Sequence, residues 1–142
     1  VDVCKLKSIY YWAYTDAQQR RITGYQSVAD IQEMTQCLDR MQPVVIGIYV
    51  FTGYDELPYD HVIPMPVTDE RIQGAHAVAV MGYSRPRRQF LAKNSYGPSW
   101  ALKGYFWLPF EYITLYSLER WCFEINDQST TVNPGDQGVA PG

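Results

Sequence analysis

Between Gly74 and Ile125 four strand-like runs follow one another closely: HAVAVMGYS, RRQFLAKNSY, GYFWLPFEYI and RWCFEI. Each is rich in β-branched and aromatic residues, the composition of half-buried strands. A short turn separates the first two, and strands joined by a tight turn pair antiparallel. This crowding predicts an antiparallel, curled sheet.

The residues before it add one helix and one more strand. In SVADIQEMTQCLDRM, Ser27 is the expected N-cap with Asp30 three residues on, and Ile31, Met34, Leu38 and Met41 recur at helical spacing. Such a stripe is core material. Pro43 ends the helix and opens VVIGIYV, whose β-branched composition predicts a buried strand. The fold class expected is therefore α+β: one amphipathic helix on an antiparallel curled sheet or half-barrel.

Length and charge bound the rest. A chain of 142 residues at 46% hydrophobic suits one domain with a real core. The net charge of -3, from 12 basic and 15 acidic side chains, gives no footprint for nucleic acid or an anionic membrane, so neither is expected as a partner. The longest apolar stretch, Val44 to Phe51, is far short of a bilayer span, and a soluble protein is expected. Cys4, Cys37 and Cys122 show no CxxC spacing, which predicts neither a disulfide framework nor a metal site. Cys37 and Cys122 read as small buried hydrophobes. No cofactor is expected.

Three divisions are expected along the chain. Residues 1–20 read as irregular lead-in from an upstream piece, since the sequence opens at Val1 without a methionine. A short strand near Arg21 to Val28 then starts the domain, which runs over 21–126. Residues 127–142 form a polar Gly/Pro-rich tail that a partner or larger assembly would hold. Inside the domain, FTGYDELPYDHVIPMPVTDERIQGA is a long aperiodic loop of the kind that often serves binding. His61 within it reads as solvated.

The chemistry converges on one hairpin. A three-residue tip at Ser84-Arg85-Pro86 would pair Tyr83 with Arg87 and set His76 directly opposite Asn94. A two-residue tip would turn the two side chains to opposite faces unless a bulge intervenes. RPRR itself reads as a solvated tip. An asparagine beside a histidine can accept from one ring N–H, fix the tautomer and aim the other nitrogen at a nucleophile. Because the acceptor is neutral, an imidazolium can stand beside a thiolate, so the pair suits cysteine chemistry. Tyr96 and Trp100 are placed to cover it.

In order, GAHAVAVMGYS, FLAKNSYGPSW and KGYFWLPFEYI resemble the C-terminal half of papain-like cysteine peptidases, most closely the bacterial or phage branch. The resemblance spans roughly Arg21 to Ile125 and implies the right-hand papain domain with the N-terminal helical half missing. It implies that His76 is the catalytic base and acid and Asn94 the residue that orients it. It places Ala75 at a backbone contact to substrate, Tyr96 where the family usually has the tryptophan shielding that bond, and Trp100 at the second tryptophan. Gly97, Gly104 and Tyr105 match structural positions, and Trp107 and Trp121 read as core.

The family nucleophile sits in a Gly-Ser-Cys-Trp context at the start of a long helix, and nothing here matches it. Cys4, in VDVCKLKS, lacks that context and stands too close to His76, so no nucleophile is assigned in this chain. Two readings follow, beside a third in which an unrelated β-rich binding domain shares the motifs by chance. The chain is the C-terminal part of a papain-like peptidase that cleaves peptide substrates once joined by a Cys-bearing half or companion chain. Alternatively, it is an inactive papain-like module with a binding or structural role in a larger assembly, such as a virion or secreted complex. Substrate preference and compartment stay open.

Overall fold

The computed structural model describes residues 11–54 and 57–127. Cys4 and the tail from Gln128 to Gly142 lie outside the described residues. Helix α1 (Tyr11–Gln19) leads into β1 (Arg20–Ser27), then α2 (Ile31–Asp39), β2 (Val44–Phe51), β3 (Ile72–Ser84), β4 (Gln89–Lys93), β5 (Tyr105–Pro109), α3 (Phe110–Tyr116) and β6 (Ser117–Asp127). The six strands form one sheet in the order β1-β6-β2-β3-β4-β5. The pairings of β2 with β3 and β6, of β3 with β4 and of β4 with β5 are all antiparallel. Register shifts interrupt β2 at Val50/Phe51 and Ile46/Ile48, and β3 at Val80/Gly82. Bulges of this kind bend strands and strengthen twist, which curls the sheet without closing it. No helix among the described residues is long and apolar enough to cross a membrane.

The chain divides into two compact units. The larger, Tyr25–Phe123, carries the core and all the residues of chemical interest. The smaller includes α1 with the outer ends of β1 and β6, where the Thr23 hydroxyl donates to the Glu124 carbonyl at 3.3 Å. The sequence reading of residues 1–20 as irregular is corrected here over Tyr11–Gln19. Ala13, Ala17, Gln18 and Gln19 are good helix formers, and they make a helix although no apolar stripe announces it.

In the larger unit one face of the sheet is buried. Val44, Ile46 and Ile48 of β2, Val78 and Val80 of β3, Phe90 and Ala92 of β4, and Phe106 and Leu108 of β5 alternate into it. Met34, Cys37 and Leu38 of α2 and Phe110, Tyr112 and Ile113 of α3 join the same cluster. Cys37 and Cys122 are both buried, as expected of small hydrophobes. Trp107 and Trp121 are only half-buried, contrary to expectation. The Arg87 guanidinium lies 5.1 Å over the Trp107 ring, and the Trp121 ring meets Tyr25 at 5.8 Å.

Several local expectations shift for physical reasons. The N-cap of α2 is Asp30, not Ser27: its carboxylate accepts from the Glu33 N–H at 2.9 Å, while the Glu33 carboxylate accepts from Ala29 N–H at 2.8 Å. Asp30 and Glu33 thus bracket the first turn and shorten the helix. Met41 consequently falls past its end and is 90% exposed at φ 60. The run GYFWLPFEYI is also two elements, because the chain turns at Pro109 from β5 into α3. Proline has no N–H to miss at a helix start, and its fixed φ suits the entry.

Candidate active site

His76 and Asn94 meet, but through a different register from the one the turn predicts. Ser84 pairs with Gln89, so the tip is a four-residue loop, Arg85 to Arg88, with Arg88 at φ 54. Extended without interruption, that pairing would place His76 and Asn94 on opposite faces. The shift between Val80 and Gly82 leaves Met81 over, after which Val80 pairs with Ala92 and Ala79 with Lys93. Continued past β4, this register sets Asn94 across from Val78. Asn94 then shares a face with His76, one diagonal step away. The expected direct opposition is therefore corrected to a diagonal, and the shared face is kept by the bulge.

Asn94 is 6% exposed and its Oδ1 lies 2.8 Å from His76 Nε2. The same oxygen accepts the backbone N–H of Ser95 at 2.7 Å. A backbone N–H can only donate, so the atom facing it must be the amide oxygen and not the amide nitrogen. An oxygen without a proton in turn requires His76 Nε2 to carry one. Nδ1 is then the nitrogen with the lone pair in the neutral ring, and it carries no hydrogen bond among the described residues. The Asn94 Nδ2 is buried without a partner among those residues.

The loop after Asn94 holds this geometry from behind. Asn94 N–H donates to the Gly104 carbonyl at 2.9 Å, and Gly104 N–H donates to the Trp100 carbonyl at 2.7 Å. Gly104 sits at φ +90, and a Cβ there would stand 3.1 Å from the Gly97 carbonyl oxygen. Only glycine meets both demands. Tyr96 is half-exposed with its ring 5.5 Å from the imidazole at a 40° tilt. Trp100 contacts the Tyr96 ring at 5.4 Å and the buried Phe106 at 5.5 Å. Ala75 is exposed and pairs with Tyr49 in the ladder.

Sequence reasoning missed Tyr54. It is 5% exposed, and its ring approaches His76 at 5.7 Å, Tyr96 at 6.4 Å, Trp100 at 6.1 Å and Phe106 at 5.9 Å. The available signal was Thr52-Gly53 directly after a strand, a turn that returns the next side chain to the sheet. The rest of the long loop is likewise pinned. Trp107 N–H donates to the His61 carbonyl at 2.8 Å and Ile63 N–H to the Trp107 carbonyl at 2.9 Å. His61 is half-buried at φ 57 and stacks on Tyr59, so it is more ordered than a solvated loop residue.

An open groove of about 390 Å³ runs beside Asn94, lined by Val45, Ala77, Val78, Ala79, Lys93 and Ser95. A larger cavity of about 690 Å³ lies against α2 and α3, with Arg85 and Arg120 on its wall, and its lining includes none of His76, Asn94, Tyr54, Tyr96 and Trp100. The hairpin tip is exposed but not idle. Arg88 pairs with Glu111 at 2.7 Å, and this hydrogen bond holds the Glu111 carboxyl below its ordinary range.

The family model for papain family cysteine proteases matches residues 4–119. An uncharacterized peptidase C1-like protein of Acanthamoeba polyphaga mimivirus is 29% identical over 113 residues, covering 71% of this chain and 36% of that protein. The crystal structure of xylellain, a cysteine protease from Xylella fastidiosa, superposes with a TM-score of 0.69 at 37% identity, covering 78% of this chain and 43% of that one. Bromelain from Ananas comosus, at 19% identity and a TM-score of 0.52, shares the fold over 72% of this chain and 50% of its own. The chain thus spans less than half the length of the first two relatives it matches.

Proposed function

The chain belongs to the papain family of cysteine proteases, and from that premise we propose that it supplies the histidine and asparagine of a peptidase whose nucleophile lies on another segment or companion chain. The observation that carries this reading is the doubly engaged Asn94 oxygen. Held by Ser95 N–H, it accepts from His76 Nε2 and leaves Nδ1 for a thiol. A general base must reach its proton in geometry first, and this geometry presets which nitrogen does the work.

In that reading His76 Nδ1 takes the proton of the cysteine thiol, giving a thiolate and an imidazolium. The sulfur attacks the carbonyl carbon of the peptide substrate. As the C–N bond breaks, the Nδ1 proton passes to the departing amine and a thioester remains. Water then adds to the thioester while Nδ1 takes its proton and returns it to the sulfur, which releases the acid. The Nε2 proton stays on His76 throughout, donated to the Asn94 oxygen, so Asn94 orients and does not exchange protons. Ala75 would offer backbone contacts to substrate, while Tyr96 and Trp100 would wall the leaving-group side.

A second reading is an inactive papain-like module that binds within a larger assembly. It is favoured by Tyr96, which stands where the family usually has tryptophan and leaves a half-exposed phenol over the pair. Intact-mass measurement and N-terminal sequencing of the protein from its native source separate the two. A companion fragment or longer chain containing Gly-Ser-Cys-Trp is expected under the first reading, and its absence would sink that reading.

A further inference from the structure

We propose that Tyr54 is a positioning residue for His76, and that its ring is the fixed wall holding the imidazole against Asn94. This rests on the reading of His76 as the base. The structural basis begins with a turn. Tyr54 N–H donates to the Phe51 carbonyl at 3.3 Å, and Gly53 lies at φ +85 with open space around it. A turn with a positive φ at its third residue takes glycine. It reverses the chain straight after β2 and sends Tyr54 back to the sheet.

Two phenol rings touch the imidazole, and they are not equivalent. Tyr96 is 45% exposed, whereas Tyr54 is 5% exposed. Tyr54 is braced by Phe106, itself fully buried, at 5.9 Å and 88°, and by Trp100 at 6.1 Å. Its ring meets His76 edge-on, at 5.7 Å and 64°. With Nε2 tied to Asn94 and the ring plane set by Tyr54, rotation that would carry Nδ1 away from a facing sulfur is blocked. The same wall keeps water from the Asn94–His76 bond, and a hydrogen bond in such surroundings is stronger than one exposed to solvent. The contribution comes from the ring, so phenylalanine should reproduce it.

The test is the side-chain state of His76 in the full chain labelled with ¹⁵N-histidine. There are two histidines in the sequence, so His61 serves as the internal reference. Two-bond ¹H–¹⁵N correlations are expected to show the Nε2–H form for the wild type and for Tyr54→Phe. In Tyr54→Leu, Nε2–H should exchange with water roughly tenfold faster and the second tautomer should appear, with the backbone amide pattern of β3 and β4 kept. A folded Tyr54→Leu with the wild-type His76 pattern overturns the proposal. Should that variant fail to fold, Gly53→Ala carries the same test, because it strains the turn and leaves the ring chemistry intact. An unchanged His76 there, with the Tyr54 resonances displaced, also overturns it. A wild type lacking the Nε2–H form would instead overturn the base assignment itself, together with this proposal.

Discussion

His76 and Asn94 face each other on a diagonal of the β3–β4 ladder, their side chains 2.8 Å apart, because Met81 is left unpaired between them and the turn. The four-residue tip and the bulge each shift the register, and only together do they bring both residues to one face. A bulge is thus part of how the pair is built.

Deleting Met81 should therefore remove the bulge and keep the pair together. With Met81 gone, Gly82 follows Val80 directly and Val80 still pairs with Ala92, so Asn94 stays on the face of His76. Asn94→Ala, which does remove the buried, hydrogen-bonded amide, should lower stability by about 1–3 kcal/mol. Urea unfolding and the His76 Nε2–H signal check this, and a lost signal in a folded Met81 deletion variant would contradict it.

Replacing Asn94 separates orientation from charge. Asn94→Ala should reduce the rate of thiol labelling in the assembled protein on the order of a hundredfold, since a poorly aimed base loses that much. Asn94→Asp should keep the geometry through Ser95 N–H but add a carboxylate beside the ring. That charge stabilises the imidazolium, so the labelling profile should move toward higher pH. A profile that stays in place would argue against direct contact in solution.

Burial pushes the Tyr112 phenol far above its ordinary value, with Glu70 and Tyr116 adding to the shift. Its hydroxyl donates to the Tyr49 carbonyl at 2.7 Å. A group with a raised folded pKa contributes stability that is whole below the unfolded value. That stability drains as pH rises past about 10, because the unfolded chain releases the proton first. The wild type should thus lose stability above that pH, and Tyr112→Phe should flatten the loss after costing about 1 kcal/mol at neutral pH. Thermal melts against pH decide it.

Asp30→Ala removes the side chain that accepts Glu33 N–H and should cost about 1 kcal/mol. Ser27→Ala should cost less, since Asp30 does the capping. Equal losses in paired denaturation curves would mean that the helix starts earlier than described.

Much of this was legible in the residues themselves. Alternation in HAVAVM and FLAKN told which side chains share a face, and the aromatic runs told where strands lie, because burial on a pleated sheet imposes a period of two. The exact register was not legible, because a turn of unknown length and a bulge can each flip a face. Tyr54 stayed hidden for a different reason. Its partners come from β3, β5 and the loop after β4, which are distant in sequence, and the loop that carries it has no period. The helix α3 was masked because Phe110 and Tyr112 favour strands as readily as they fill a helix face, so only Pro109 marked the change.

One labelling experiment tests most directly whether His76 is the base. The chain, assembled with the segment or companion that carries the Gly-Ser-Cys-Trp cysteine, is treated with a thiol-directed epoxide and followed by mass. Rapid modification of that cysteine is predicted for the wild type, and its loss for His76→Ala. Equal modification with and without His76 would contradict the claim that this chain supplies the base.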